Sequence, residues 1–209
     1  MEYYLFDFDG TLVDSMNVFA PMMVSILDDF NIPYGDDIIK IITPLGYEGT
    51  AKYYQGLGLN KSVDELLAIM QERARYAYEE VIGEKEGVID TLRILKARGA
   101  DLNVLTASPH MALDPCLKRL GVWELFTNVW SCEDFSTTKA NPEIYRMAAE
   151  KIGQPVERIV FIDDNVNAVR TAKEAGMISY GIYDDSSADL VDEMKAVSHR
   201  YLYKFDELV

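Results

Sequence analysis

Short apolar runs alternate with stretches of helical spacing over most of the chain, and this rhythm reads as an α/β protein. Runs rich in β-branched and aromatic residues at 2–7, 101–105, 127–131, 158–163 and 178–183, with a shorter one near 199–203, predict strands. Between them, 87–98, 110–120, 142–152 and 165–176 carry apolar residues at helical spacing, and Gly99, Gly121, Gly153 and Gly176 stand where those four helices would close. The run Ile159-Val160-Phe161-Ile162 is continuously apolar, the pattern of a parallel strand buried on both faces. The alternation predicts a doubly wound, Rossmann-like parallel sheet with helices on both faces.

One interval breaks the rhythm. From 15 to 83 only helical patterns appear, at 18–30, 37–42, 49–57 and 63–81, with no convincing buried strand. This interval reads as a small all-helical unit, 15–83, inserted into a core made of 1–14 and 84–209. The two connections, near Asp14-Ser15 and through Gly83-Glu84-Lys85-Glu86-Gly87, make a hinge.

Polar residues interrupt the pattern at the carboxyl ends of the predicted strands, where an open α/β sheet binds its ligands. The first strand runs into Asp7-Phe8-Asp9-Gly10-Thr11, two carboxylates one residue apart with a glycine turn behind them. Aspartate is depleted in strands, so propensity alone does not account for it. Two carboxylates held together either bind a hard cation or divide the roles of nucleophile and proton donor, whereas each alone serves equally well as a strand cap. The second strand ends in Thr106-Ala107-Ser108. The Thr106 hydroxyl suits a phosphate oxygen or a turn, and Ser108 reads as the cap of the helix that Pro109 opens.

Lys139 precedes Asn141-Pro142, which read as N-cap and first residue of the next helix. A cation beside a helix start means either solvent exposure or a site for a multiply charged anion. The fourth strand ends in Asp163-Asp164, adjacent acids whose repulsion favours a cation between them.

Taken together, Asp7-Phe8-Asp9-Gly10-Thr11, then Thr106, then Lys139 with Pro142, then Asp163-Asp164 resemble in order and spacing the four motifs of the haloacid dehalogenase superfamily. The pattern is similar to its phosphatases with a helical cap after the first motif, the phosphoglycolate phosphatase and β-phosphoglucomutase-like subfamily. The resemblance implies a Mg2+ site at the carboxyl edge of the sheet. It implies Asp7 as nucleophile and Asp9 as general acid and then base, with the Asp9 backbone carbonyl on the metal. Thr106, Ala107 and Lys139 would hold the transferring phosphoryl group, and Asp164, seconded by Asp163, would complete the metal site with Asp7. The inserted helices would be the cap, with Pro44, Leu45, Gly46 and Tyr47 as its selectivity loop. In two places the chain departs from many relatives: Ala140 follows Lys139 where proline is common, and Asn167 and Ala168 occupy the region of a further acid.

The activity so implied is magnesium-dependent hydrolysis of a small phosphorylated metabolite through an aspartyl phosphate. The resemblance argues against dehalogenation, because members that break carbon–halogen or carbon–phosphorus bonds lack an acid two residues after the nucleophile, and an alkoxide leaving phosphorus needs the proton that Asp9 is placed to give. The alternatives are a phosphomutase of the same family and a phosphorylation-driven signalling module, although the latter is shorter and orders its acids differently.

Composition agrees. The 209 residues are 49% hydrophobic and 26% charged, enough for a sizeable core and against disorder. A formal charge of −15 disfavours nucleic acid and anionic membranes as partners. The start lacks a basic-then-apolar leader and the chain has no long apolar run, so a soluble cytoplasmic protein is expected. The oligomeric state is left open, and a monomer suffices. Cys116 and Cys132 lack motif spacing and read as buried thiols, and His110 and His199 as residues without chemistry.

Overall fold

The computed structural model describes the backbone of residues 1–209 and every side chain except that of Pro44. Six strands form one parallel sheet: β1 (Tyr3–Phe6), β2 (Asp101–Thr106), β3 (Asn128–Ser131), β4 (Ile159–Asp163), β5 (Ile178–Ile182) and β6 (Arg200–Leu202), in the order β3-β2-β1-β4-β5-β6. The chain builds outward from β1 on one side and then crosses to β4 on the other. The switch point is therefore the crevice between the carboxyl ends of β1 and β4.

The register makes that crevice acidic. Phe6 lies opposite both Val104 and Ile162, and the Asp7 N–H donates to the Ile162 carbonyl at 2.9 Å, so Asp7 and Asp163 leave neighbouring strands at the same level. Leu5, Phe6, Phe161 and Ile162 behind them are fully buried. Each contributes about 1.5–3 kcal/mol by its removal from water, which anchors the strand tips. Four helices connect the strands, α5 (Val88–Ala97), α6 (His110–Arg119), α7 (Glu143–Ile152) and α8 (Val166–Ala175), and α9 (Val191–Val197) precedes β6. Gly153 and Gly176 close α7 and α8 with φ of +75° and +106°, a region that a side chain would strain.

The chain divides into two compact units, Met1–Asp14 with Gly83–Val209, and Ser15–Ile82. The second unit is helical: α1 (Met16–Asp29), α2 (Ile38–Ile42), α3 (Gly46–Gly56) and α4 (Val63–Tyr76), the last continued by a π-helical turn, Ala77–Val81. Its interior gathers Ile26, Leu27, Ala51, Tyr54, Leu66 and Met70, and the buried Tyr54 hydroxyl donates to the Met23 carbonyl at 2.9 Å. Ser62 and Glu65 start α4 with a reciprocal capping box, Glu65 N–H to Ser62 Oγ at 3.2 Å and Ser62 N–H to Glu65 Oε2 at 2.8 Å. Among the described residues no helix is long and apolar enough to cross a membrane.

The segment read as a loop at 43–47 is more ordered than its proline and glycine suggest. Thr43–Leu45 is a 3-10 turn and α3 starts at once at Gly46, where φ of +62° lets the chain change direction. Tyr47 thus stands in a first helical turn, its ring stacked on Phe19 at 5.9 Å.

Candidate active site

Three buried carboxylates meet at the switch point. Oxygens of Asp7, Asp163 and Asp164 lie within 4.8 Å of one another. Lys139, on the segment before α7, donates to Asp7 Oδ1 and, at 2.8 Å, to Asp163 Oδ2. Its loop is held by the buried Tyr145 hydroxyl, whose single proton is shared between the Lys139 carbonyl at 3.2 Å and that of Ala168 at 3.1 Å. Asp163 is further fixed by the Asn165 N–H, 2.7 Å from Oδ1, and Asp164 by the Thr11 hydroxyl at 3.2 Å.

Gly10 is what permits this packing. It has φ of +72°, and a Cβ there would come 2.5 Å from an Asp164 carboxylate oxygen. Any other residue would have to displace the acid. The turn itself is compact, with the Leu12 N–H on the Phe8 carbonyl at 2.8 Å and the Gly10 N–H on the Val13 carbonyl at 3.0 Å.

The electrostatics show an excess of negative charge. Burial and then the charge of Asp163 push the Asp7 carboxyl well above its usual range, against the opposing pull of Lys139. Burial, Asp163 and Asp184 push Asp164 up to about 7, with Lys139 and Lys85 opposing. Burial works against the charge of Lys139, but Asp163 and Asp7 more than offset it and hold the ammonium protonated. Fully ionised, three carboxylates against one ammonium would leave two negative charges at one place, and the raised Asp7 and Asp164 carboxyls reflect that excess. A divalent cation with oxygen ligands fits that donor set and that charge.

The other motif residues stand around this cluster. Thr106, buried at the end of β2, accepts from the Ser108 N–H at 3.0 Å and closes a local turn, and Ala107 between them is exposed. Ser108 does not cap α6, as its sequence position suggested. Its hydroxyl donates instead to the Asp9 carboxylate, so Asp9 is tied to the β2 side of the crevice and stands outside the three-carboxylate group. Asn141 does cap α7, accepting from the Glu143 N–H at 3.0 Å. Leu45, Gly46 and Tyr47 belong to the second unit, and the Pro44 side chain lies outside the described residues.

A family model for haloacid dehalogenase-like hydrolases matches residues 1–176. The chain belongs to that family. It is an enzyme, a hydrolase of the phosphatase type. Among its relatives are a phosphorylated carbohydrates phosphatase of Thermotoga maritima, 25% identical over 178 residues that cover 85% of this chain and 82% of the relative, and the phosphoglycolate phosphatase of Escherichia coli, 28% identical over 200 residues that cover 85% and 79%. A solved Thermotoga maritima structure assigned as a candidate β-phosphoglucomutase superposes with a TM-score of 0.86 at 25% identity, covering 100% of this chain and 96% of that one.

In this hydrolase two further residues reach the site that no motif pattern marks. Lys85, just after the insertion, donates to the Gly10 carbonyl and the Tyr183 carbonyl at 2.7 Å each and to Asp184 Oδ2 at 2.8 Å. Asp184 is buried, and this partnership with Lys85 and the bonds from Ser186 more than offset its burial and hold its carboxyl below the usual range. In the sequence Lys85 looks like part of a charged hinge and Asp184 like a helix cap. The one available signal is that Asp184 follows a strand end, as the motif acids do. His110 also proves to be placed, its two ring nitrogens 2.8 Å from Asp114 and Asp134, which raise its pKa. Cys116 and Cys132 are buried thiols, and the Arg119 guanidinium donates to Cys116 Sγ at 3.7 Å.

Proposed function

We propose that this hydrolase removes the phosphoryl group from a small phosphorylated metabolite, with Asp7 as nucleophile. The observation that carries this is the placement of Asp7 at the switch point, between the Lys139 ammonium and two further buried acids. An Asp7 oxygen attacks phosphorus while the bond to the leaving oxygen breaks, and Asp9 gives that oxygen its proton. Water then attacks the aspartyl phosphate, Asp9 takes the water proton, and inorganic phosphate leaves with Asp7 restored. Lys139, the Thr106 hydroxyl and the amides around Ala107 receive the charge that spreads over the phosphoryl oxygens.

Asp7, Asp164 and Asp163 would hold the cation, with the Asp9 carbonyl. Mg2+, the ion we propose, would supply positive charge to the phosphoryl group and keep Asp7 ionised against its neighbours. The inserted unit serves as a cap that excludes water and selects the ester, with Leu45, Gly46 and Tyr47 as candidate selectors beside Pro44. A phosphomutase is the second reading, favoured by the likeness to the candidate β-phosphoglucomutase.

The test is a panel of phosphorylated metabolites assayed for released phosphate with Mg2+, with Asp7→Asn as control. Turnover by the wild type and none by Asp7→Asn, together with a trapped phosphoenzyme, is the expected result. Undiminished turnover in Asp7→Asn overturns the assignment, and isomerisation of a labelled sugar phosphate without net phosphate release selects the mutase.

A further inference from the structure

Lys85 lies outside the four motifs, yet all three of its ammonium donors meet acceptors in one small volume. Its side chain is 18% exposed and that of Asp184 is 2% exposed. A lysine that serves only solubility leaves its ammonium in water, because burying it costs free energy unless every donor is matched. Here the match is complete and the anchor is rigid. Asp184 Oδ1 accepts from the Ser186 N–H at 2.9 Å and the Ser186 hydroxyl at 2.6 Å, which leaves Oδ2 aimed at Lys85.

The other end of this brace is the acid turn. Gly10 directly follows Asp9 and packs against Asp164, and its carbonyl is the atom that Lys85 grips. The Lys85 backbone adds to it: its N–H donates to the Leu12 carbonyl at 3.1 Å, and Val13 bridges Glu84. The Ser108 hydroxyl fixes the Asp9 carboxylate from one side while Lys85 fixes the following peptide from the other.

We propose that Lys85, anchored by Asp184, is a positioning residue for phosphoryl transfer. It holds the turn after the nucleophile so that Asp9 meets the leaving oxygen at the right place. The proposal rests on the phosphatase reading for its kinetic consequence and on the Lys85 hydrogen bonds alone for the brace. Mispositioned acid catalysis penalises poor leaving groups and spares good ones, a split that general destabilisation does not produce.

The experiment compares wild type, Lys85→Met, Lys85→Arg and Asp184→Asn, each checked for folding by circular dichroism. Amide exchange of residues 8–14 is measured without substrate, and kcat and KM are measured with p-nitrophenyl phosphate and with the best alkyl phosphate of the metabolite panel. Lys85→Met should speed exchange at 8–14 by about tenfold, lower kcat by about 30-fold on the alkyl ester and about threefold on the aryl ester, and leave KM within about twofold. Lys85→Arg should recover most of the loss. Unchanged exchange at 8–14 in folded Lys85→Met, or an equal loss on both esters, overturns the proposal. If Lys85→Met does not fold, Asp184→Asn carries the same expectations at lower amplitude. If the wild type hydrolyses neither ester, the phosphatase reading fails, and the exchange result still decides whether Lys85 braces the turn.

Discussion

The two units of this chain use burial in opposite ways. In the core unit the strand tips bury Asp7, Asp163, Asp164 and Asp184 with Lys139 and Lys85 close by, so charge is concentrated where water is scarce. In the inserted unit the buried positions are almost all apolar; the Thr50 and Tyr54 hydroxyls donate to backbone carbonyls, and the buried Ser15 hydroxyl, at the start of the unit, has no hydrogen-bond partner among the described residues. The first arrangement gives up stability to concentrate chemistry, because buried like charges repel. The second is an ordinary hydrophobic interior. Substitutions should therefore divide by kind: removing an acid from the core site costs activity without costing fold, and truncating an apolar side chain of the inserted unit costs fold.

The largest effect tests the core side. Asp7→Asn should lower turnover by at least about 10⁴-fold, measured as released phosphate, while relieving repulsion and leaving the melting temperature equal or higher. A melting temperature that fell sharply would break the comparison. Lys139→Met should cost about 10²–10³-fold in kcat/KM. In this case stability falls as well, by about 3–5 kcal/mol in chemical denaturation, because the acids lose their counter-charge, and added Mg2+ should return part of it.

The opposite signature is expected from Leu66→Ala in the inserted unit. The buried leucine leaves a cavity, and denaturation should report a loss of about 2–5 kcal/mol with the Asp7 phosphoenzyme still formed at its normal level.

Smaller, but more discriminating, is the dependence of melting on pH. Asp164 is raised from 3.8 to about 7 in the folded protein. A raised acid binds its proton more tightly when folded, so without metal its contribution is largest below the unfolded value and is lost as pH climbs through this window. His110, raised above 6.5, likewise contributes below that value and loses its contribution as pH rises further. In EDTA the melting temperature should therefore fall by a few degrees between about pH 5 and pH 7.5. Mg2+ should remove the part due to the acids, and His110→Asn the rest. A melting temperature that rises over this range in EDTA would contradict the excess of negative charge.

The smallest expected change is Tyr47→Ala, which should alter KM among phosphate esters by about three- to tenfold with little effect on kcat for p-nitrophenyl phosphate.

Much of the fold was legible because strand and helix patterns alternate, and because a carboxylate after an apolar strand contradicts local propensity. Asp7 and Asp163 announce themselves in that way. The register that sets them side by side then follows from a parallel sheet with β1 at its centre. Ser108 was misread because a serine before a proline-led helix looks the same whether its hydroxyl caps that helix or reaches Asp9, 99 positions away. Lys85 and Asp184 were missed for the same reason. Their separation of 99 residues carries no periodic signal, and each has a sufficient local explanation as hinge or cap. The short turns were also hidden: nothing in the pattern separates α4 from the π-helical turn at Ala77–Val81, since both keep helical spacing.

The Asp14 N–H donates to the Gly83 carbonyl at 3.0 Å, so the chain leaves for the insertion and returns from it one hydrogen bond apart. A turn of a few residues could span that gap. The core is thus closed by its own backbone pairing at the place where the inserted segment leaves and returns. The Lys85 N–H on the Leu12 carbonyl and the Val13–Glu84 bridge extend that pairing, all of it between residues of the core unit.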